Sequence, residues 1–159
     1  MRRQLTLFVP APAAAPLEAL RRTVDPVQHG LIAAHVTLCR EDELDALEAV
    51  RERLRAHRAG PIDLAFGPVE VFHGHGLLLP CVGGREAYRA LRKAVLDVAE
   101  PPDSSPHVTL AHPRNPRAPG NALLATPGLP RALSVRFQAV HLVEQVDGGP
   151  WRELEQFAL

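Results

Sequence analysis

The tetrapeptide His-Val-Thr-Leu occurs twice in this chain, at residues 35–38 and again at residues 107–110. Successive side chains of an extended strand point to opposite faces, so each copy sends its His and Thr to one side and its Val and Leu to the other. Each copy therefore predicts a strand with one polar face and one core face. The offset of 72 residues (107 − 35) is too long for a solenoid repeat but fits a duplicated α+β half. We therefore expect two lobes related by a pseudo-twofold axis.

The length and composition are typical of one soluble domain. A chain of 159 residues with 46% hydrophobic residues can bury its own core but is short for two independent cores. We therefore expect a single domain over residues 1–159, and a monomer. Lys plus Arg and Asp plus Glu each total 18, so no global positive field draws the chain to nucleic acid or to an anionic membrane. Any contact with nucleic acid must be local.

The amino-terminal segment does not predict a targeting signal. Residues 1–16 hold two arginines and an apolar stretch, but Pro10, Pro12 and Pro16 interrupt it. No segment approaches the roughly 20 apolar residues of a membrane span. We therefore expect a cytoplasmic protein with no membrane partner.

The two cysteines, Cys39 and Cys81, have no CxxC neighbour and no regular framework. Such spacing favours neither a structural zinc site nor a disulfide scaffold. We expect both to be buried, reduced thiols.

Hydrophobic periodicity predicts strands and helices in both halves. In the first half we expect a strand at 4–9, a helix at 12–24, a strand at 31–39 and an amphipathic helix from 41 to about 58. In the middle and second half we expect a hairpin from the segments 62–72 and 76–82, a helix at 85–99, a strand at 107–111, a short helix at 121–125, one long strand at 132–146 and a last strand at 151–159. Trp151 is expected to cap the last hairpin.

The two polar strand faces carry the chemistry that the sequence suggests. Side by side, they would present His35, Thr37, His107 and Thr109 to one cleft. An imidazole can take or give a proton near neutral pH, and a hydroxyl can donate a hydrogen bond to an anion. The four residues are therefore candidate catalytic residues for a reaction at an anionic centre such as a phosphate.

With its surroundings, this pair of motifs resembles the 2H phosphoesterase superfamily, and in particular its 2′-5′ RNA ligase-like or RNA 2′,3′-cyclic phosphodiesterase branch. Ser105-Pro106 directly before His107 is similar to the family's lead-in to its motif. Residues 140–159, VHLVEQVDGGPWRELEQFAL, resemble its closing hairpin. The resemblance covers nearly the whole chain.

The resemblance implies an α+β fold with two pseudo-symmetric antiparallel-sheet lobes and outer helices around a central groove. It implies metal-independent hydrolysis of a 2′,3′-cyclic phosphate at an RNA end or on a small cyclic nucleotide, with 2′-5′ RNA ligation as the same chemistry run backward. It further implies that His35 is the general acid and His107 the base that activates water. The sequence itself does not assign these roles, and no cofactor is expected.

The sequence departs from the family pattern next to both motifs. Ala34 rather than Pro precedes His35, and His112 follows the second motif where relatives often carry Arg. Phosphate binding is therefore expected from Arg40 or Arg114. Phe72 is a candidate for stacking on a base, although core packing is the ordinary role of an aromatic side chain.

Two other classes of function stay open. A non-catalytic RNA-end or nucleotide-binding module would keep the groove without turnover. A metal hydrolase could be centred on His73, His75, His107 and His112, although a solvated hairpin turn is the favoured interpretation of His73 and His75, since no acidic or Cys partner is near them in sequence.

Overall fold

The chain folds into helices and two antiparallel sheets in a computed structural model that describes residues 1–72, 75–114 and 120–159. The strands in this part of the chain are Arg2–Phe8 (β1), His35–Cys39 (β2), Ile62–Phe66 (β3), Glu70–Phe72 (β4), Gly76–Gly83 (β5), His107–Ala111 (β6), Leu133–Phe137 (β7), Ala139–Gln145 (β8) and Arg152–Ala158 (β9). The helices are Ala11–Val24 (α1), Pro26–Leu31 (α2), Leu47–Ala56 (α3), Arg85–Leu96 (α4) and Gly120–Leu123 (α5), with a 3-10 turn at Glu41–Glu43.

The two sheets repeat one pattern of strand pairing. The first sheet has the order β2-β1-β8-β9. In the second sheet β6 pairs with one edge of β5. The other edge of β5 pairs with β4 and, further along the strand, with β3, and β3 in turn pairs with β7. The second order is thus β6-β5-β3-β7, and β1 and β5 hold equivalent places. Since helices connect β1 to β2 and β5 to β6 in the same way, the predicted α+β fold with two pseudo-symmetric sheets is confirmed.

The two motif strands alternate as the sequence predicts. Both β2 and β6 bury their Val and both of their last two residues while leaving His and Thr partly accessible. Val36 and Val108 have no exposed surface, because they face the apolar core. The polar face and the core face of each strand are therefore real.

Each connecting helix packs against the motif strand of the other half. Helix α1 contacts β6, helix α4 contacts β2, and the two motif strands contact each other. At the end of α1, Asp25 accepts a hydrogen bond of 2.8 Å from the backbone N–H of His112, which follows β6. These crossed contacts hold the two motif strands together across the pseudo-symmetry.

One predicted strand is wrong. The stretch 132–146 is not a single strand, because β7 ends at Phe137 in the second sheet and β8 begins at Ala139 in the first sheet. The buried positions are odd-numbered in β7 but include Val140 and Leu142 in β8. Gln138, between the strands, is where the chain passes from one sheet to the other and the alternation shifts by one residue.

Three predicted boundaries are also corrected. The strand expected from residue 31 begins at His35, because Asp25 accepts a hydrogen bond from Gln28 and starts the short helix α2 instead. The helix expected over 41–58 is a 3-10 turn followed by α3. The helix expected over 85–99 ends at residue 96, since Asp97 adopts a left-handed φ of 57° that terminates it.

The two predicted hairpins are confirmed. Strands β4 and β5 pair antiparallel, as do β8 and β9. Within the described ranges, no helix is both long and apolar enough to span a bilayer.

Candidate active site

The two motifs face one groove between the sheets. His35, Thr37, His107 and Thr109 all line this groove, whose volume is about 1480 Å³. Side chains from β1 and β2 form one side, and side chains from β4, β5 and β6 form the other. The structure thus brings together all four residues that the sequence singled out.

Both motif histidines are oriented by the same backbone contact. His35 Nδ1 lies 2.7 Å from the carbonyl oxygen of Ala33, and His107 Nδ1 lies 2.8 Å from that of Ser105. A carbonyl can only accept, so Nδ1 carries the hydrogen in each ring. Each neutral imidazole therefore leaves Nε2 without a proton and available for proton transfer.

The residue before each histidine is also held in the same way. The carbonyl of Ala34 accepts a 3.0 Å hydrogen bond from Val9, and the carbonyl of Pro106 accepts a 3.0 Å bond from Cys81. In the strand register, His35 stands opposite Phe8 on β1. His107 correspondingly stands opposite a residue of β5, so equivalent strands position the two imidazoles.

The surroundings of His35 favour its neutral form. Burial disfavours the charged imidazolium and lowers the pKa of His35 from 6.5 to about 4. The positive charge of Arg21 and the neighbouring His107 lower this pKa further, whereas the Ala33 carbonyl and Glu18 act in the opposite direction. At neutral pH the ring is therefore an unprotonated base in the free protein.

An aromatic side chain lies beside each motif histidine. The ring of Phe72 is stacked on His107, with centroids 6.1 Å apart and an interplanar angle of 26°. The ring of Phe8 meets His35 edge-on at 6.2 Å and 72°. Phe72, the sequence candidate for base stacking, lines the groove. Phe8 was not singled out, although its position one strand away from His35 follows from the pairing of β1 and β2.

The two arginines expected to bind phosphate both line the groove and are exposed. Arg40 Nε lies 3.5 Å from a carboxylate oxygen of Asp42, so part of its charge is balanced by this neighbour. The backbone N–H of Arg114 donates a 3.1 Å hydrogen bond to His112 Nδ1. Burial and the charge of Arg114 lower the pKa of His112, which also lines the groove.

The histidines of the proposed metal centre are only partly placed. His75 is exposed in the turn before β5, and His73 lies outside the described residues. Over residues 1–72, 75–114 and 120–159, no cluster of three or more His, Cys, Asp or Glu side chains is arranged to hold a metal ion.

Sequence reasoning missed two features of the groove. Trp151, expected to cap a hairpin, lines the groove with the guanidinium of Arg2 5.7 Å from its ring centre. Arg21 lines the groove although its side chain is only 1% exposed. The available signal for Arg21 was a charged residue next to the apolar stripe formed by Leu17 and Val24 on α1. No local pattern pointed to Trp151.

Comparison with known proteins gives the family and the fold of the chain. The family model of the 2′-5′ RNA ligase superfamily matches residues 9–149. A search of curated proteins finds no match to the chain. Among solved structures, Escherichia coli LigT complexed with NADP+ is similar at a TM-score of 0.66 and 15% sequence identity, over 99% of this chain and 97% of that chain. E. coli LigT complexed with phosphate is similar at a TM-score of 0.63 and 16% identity, over 99% and 96% of the two chains.

These structures share the fold of the chain, and the family model covers most of its length. The matched residues include both His-Val-Thr-Leu motifs. The chain therefore belongs to the 2′-5′ RNA ligase superfamily of 2H phosphoesterases.

Proposed function

We propose that this protein is a metal-independent phosphodiesterase that opens a 2′,3′-cyclic phosphate at an RNA end or on a small cyclic nucleotide. The observation that carries this proposal is the shared geometry of His35 and His107. Each ring is fixed through Nδ1 to a carbonyl and leaves Nε2 for proton transfer, and both rings line one groove. A strained cyclic phosphodiester needs two such groups on opposite sides of phosphorus.

The reaction balances with water as the only co-substrate. One imidazole takes a proton from water as the water oxygen forms a bond to phosphorus. The bond from phosphorus to one ribose oxygen breaks, and the other histidine, protonated, gives its proton to that oxygen. The product is a phosphomonoester beside a free hydroxyl. A ribose hydroxyl in place of the water would form a new phosphodiester through the same two histidines, which is the related ligase activity.

Two further groups suit an anionic substrate. The hydroxyls of Thr37 and Thr109 stand two residues beyond each histidine on the same strand face, where they can donate hydrogen bonds to the non-bridging oxygens. The solved structures of E. coli LigT with phosphate, ATP and 3′-AMP support phosphate-bearing ligands as the substrate class.

The acid role that the resemblance implies for His35 requires the substrate itself. With its pKa lowered to about 4, His35 is neutral in the free protein at pH 7. A phosphate anion beside the ring favours the protonated form and raises this pKa. Histidine NMR should therefore show an upward shift of the His35 pKa when inorganic phosphate is added. A pKa unchanged by phosphate would favour His35 as the base.

The decisive experiment is incubation with 2′,3′-cyclic nucleotides and with short RNA that ends in a cyclic phosphate, followed by chromatography of the products. We expect turnover that persists in a chelator and falls by a factor of about 100 or more in both His35→Ala and His107→Ala. His57→Ala, at the end of α3 and outside the groove, is the matched control. Wild-type turnover in either motif variant would contradict the mechanism. Loss of activity in a chelator would favour a metal hydrolase. Binding of the cyclic phosphate without turnover would favour a non-catalytic binding module.

A further inference from the structure

The residues directly before the two motif histidines differ in one hydrogen-bond donor, the backbone N–H. Ala34 precedes His35, and Pro106 precedes His107. The two residues are structurally equivalent, because each carbonyl accepts a 3.0 Å hydrogen bond from the strand before it. Proline has a fixed φ and no N–H, so the second lead-in is restrained by its own ring. Ala34 lacks this restraint and has a backbone N–H that needs a partner.

The partner of the Ala34 N–H is a carboxylate from helix α1. Glu18 Oε1 accepts this hydrogen bond, and Glu18 Oε2 lies 2.8 Å from Nη1 of Arg21. The Arg21 side chain is 1% exposed and that of Glu18 is 22% exposed. An ion pair at these depths is less screened by solvent than a surface pair, so it holds its geometry more firmly.

Arg21 contacts the segment before His35 at a second residue. Its Nη2 donates a 2.7 Å hydrogen bond to the carbonyl of Ile32. Glu18 and Arg21 thus hold residues 34 and 32 of the chain, and Ala33 lies between them. The carbonyl of Ala33 is the group that orients His35 through Nδ1.

We infer that Glu18 and Arg21 are positioning residues for His35, and that they do for the first motif what Pro106 does for the second. The pair fixes the segment before His35 so that the Ala33 carbonyl holds the Nδ1 hydrogen and leaves Nε2 as the nitrogen for proton transfer. Neither residue needs to touch the substrate for this role. The expected effect of these residues on turnover rests on the proposed phosphodiesterase activity. Their expected effect on the tautomer of the His35 ring does not.

The ring itself therefore provides the primary test. In protein labelled with ¹⁵N-histidine, NMR shifts report which ring nitrogen carries the hydrogen, with His35→Gln and His107→Gln variants used for assignment. In Glu18→Ala we expect His35 to lose its Nδ1–H form in favour of a tautomer mixture, and the Ala34 amide to exchange with solvent at least about tenfold faster. His107 is the internal control and should keep its Nδ1–H form.

A second substitution distinguishes positioning from general loosening. Ala34→Pro gives the first motif the lead-in of the second and removes the N–H that Glu18 accepts. In Ala34→Pro alone the ring would meet the Glu18 carboxylate, so the informative protein is the double variant Glu18→Ala/Ala34→Pro, which we expect to regain the Nδ1–H form of His35. Glu18→Gln keeps one acceptor oxygen for the Ala34 N–H but replaces the oxygen that accepts from Arg21 with an amide nitrogen, so we expect a His35 tautomer change between those of the wild type and of Glu18→Ala. Glu48→Ala removes another Glu–Arg pair with i,i+3 spacing, on the exposed face of α3, and is the matched control.

The outcomes separate this inference from the proposed activity. If the protein turns over cyclic phosphates, kcat/KM should fall about 10- to 100-fold in Glu18→Ala and recover to within about threefold in the double variant. If no substrate is turned over, the His35 tautomer still decides the positioning role. An unchanged His35 tautomer in Glu18→Ala, an equal change at His107, or failure of the double variant to regain the Nδ1–H form would overturn the inference. The double variant and Glu18→Gln keep the test available if Glu18→Ala does not fold.

Discussion

The hydroxyl of Tyr88 donates a 2.8 Å hydrogen bond to the backbone carbonyl of Thr37. Tyr88 lies on α4, in the second half of the chain, whereas Thr37 lies on the motif strand of the first half. The same hydroxyl is 3.1 Å from the hydroxyl of Ser104, in the segment that leads to His107. One buried side chain thus links the first motif strand to the lead-in of the second motif.

We expect Tyr88→Phe to destabilise the protein without changing its fold. The substitution keeps the ring in the core but leaves the Thr37 carbonyl without this donor, at a cost of about 1 to 2 kcal/mol. Urea denaturation should show a lower midpoint and an unchanged slope. Arg89→Ala, on the exposed face of the same helix, is the control. A midpoint equal to that of the wild type would show that the Tyr88 hydroxyl contributes nothing net.

The hydroxyls of Thr37 and Thr109 are expected to act on the transition state. Valine has nearly the same shape and suits a strand, so Thr37→Val and Thr109→Val should fold normally. Each loses one donor to the developing negative charge, which should lower kcat about 100-fold with little change in KM. Serine at either position should restore most of the rate. Thr23→Val, on the exposed face of α1, is the control, and an unaffected kcat in both motif variants would remove the threonines from the proposed mechanism.

The sequence predicted the second motif strand and the faces of both motifs, because local alternation and an exact repeat act together. The predicted strand 107–111 coincides with β6, and the face assignments of both motifs are confirmed. Alternation alone was not enough at residues 132–146, since it cannot show which sheet a strand joins. The chain there changes sheets at Gln138.

The sequence predicted the two motifs of the candidate site but not the groove residues contributed by distant parts of the chain. His35 and His107 were visible as a repeat, whereas Trp151 and Arg21 reach the groove only through long-range packing. The backbone N–H of Trp151 bonds to the carbonyl of Leu31, a contact between distant parts of the chain. No local pattern in the sequence encodes such a contact.

The predicted character of the two cysteines is confirmed, since both Cys39 and Cys81 are free and buried. Burial raises the pKa of the Cys39 thiol to about 12 and also raises the pKa of Cys81. Because the thiolate is the reactive form, neither should react with Ellman's reagent in the native protein. Both should react in denaturant, which gives the control in the same sample. A rapidly titrating thiol in the native state would contradict the buried placement.

We expect the Phe72 ring to contribute to activity in the groove rather than to the packing of the core. Its stacking on His107 resembles the geometry with which an aromatic ring supports an imidazole or a base. Phe72→Leu keeps an apolar side chain but loses the ring face, and we expect kcat/KM to fall by a factor of about 3 to 10. Phe72→Tyr, which keeps the ring, is the matched control. Equal kcat/KM values for the leucine and tyrosine variants would show that the aromatic face plays no part.

The environment of His35 predicts a dependence of stability on pH. Its pKa is about 4 in the folded protein and about 6.5 when unfolded, so the unfolded chain takes up the proton first as the pH falls. The neutral His35 ring therefore makes its full contribution to the free energy of unfolding above pH 6.5. This contribution should decrease between pH 6.5 and 4, by at most about 3 kcal/mol.

Urea denaturation from pH 4 to pH 8 measures this effect when the wild type is compared with His35→Gln, which removes the titrating ring. The slope of stability against pH between 4 and 6.5 should be smaller in the variant. His112→Gln is a necessary second comparison, because the pKa of His112 is lowered in the same direction and its contribution also decreases as the pH falls below 6.5. Carboxylates such as Glu43, whose pKa is held down by Arg92, titrate alike in all three proteins and cancel in the differences. Parallel stability curves for wild type and His35→Gln would mean that the His35 ring is hydrated and carries no depressed pKa.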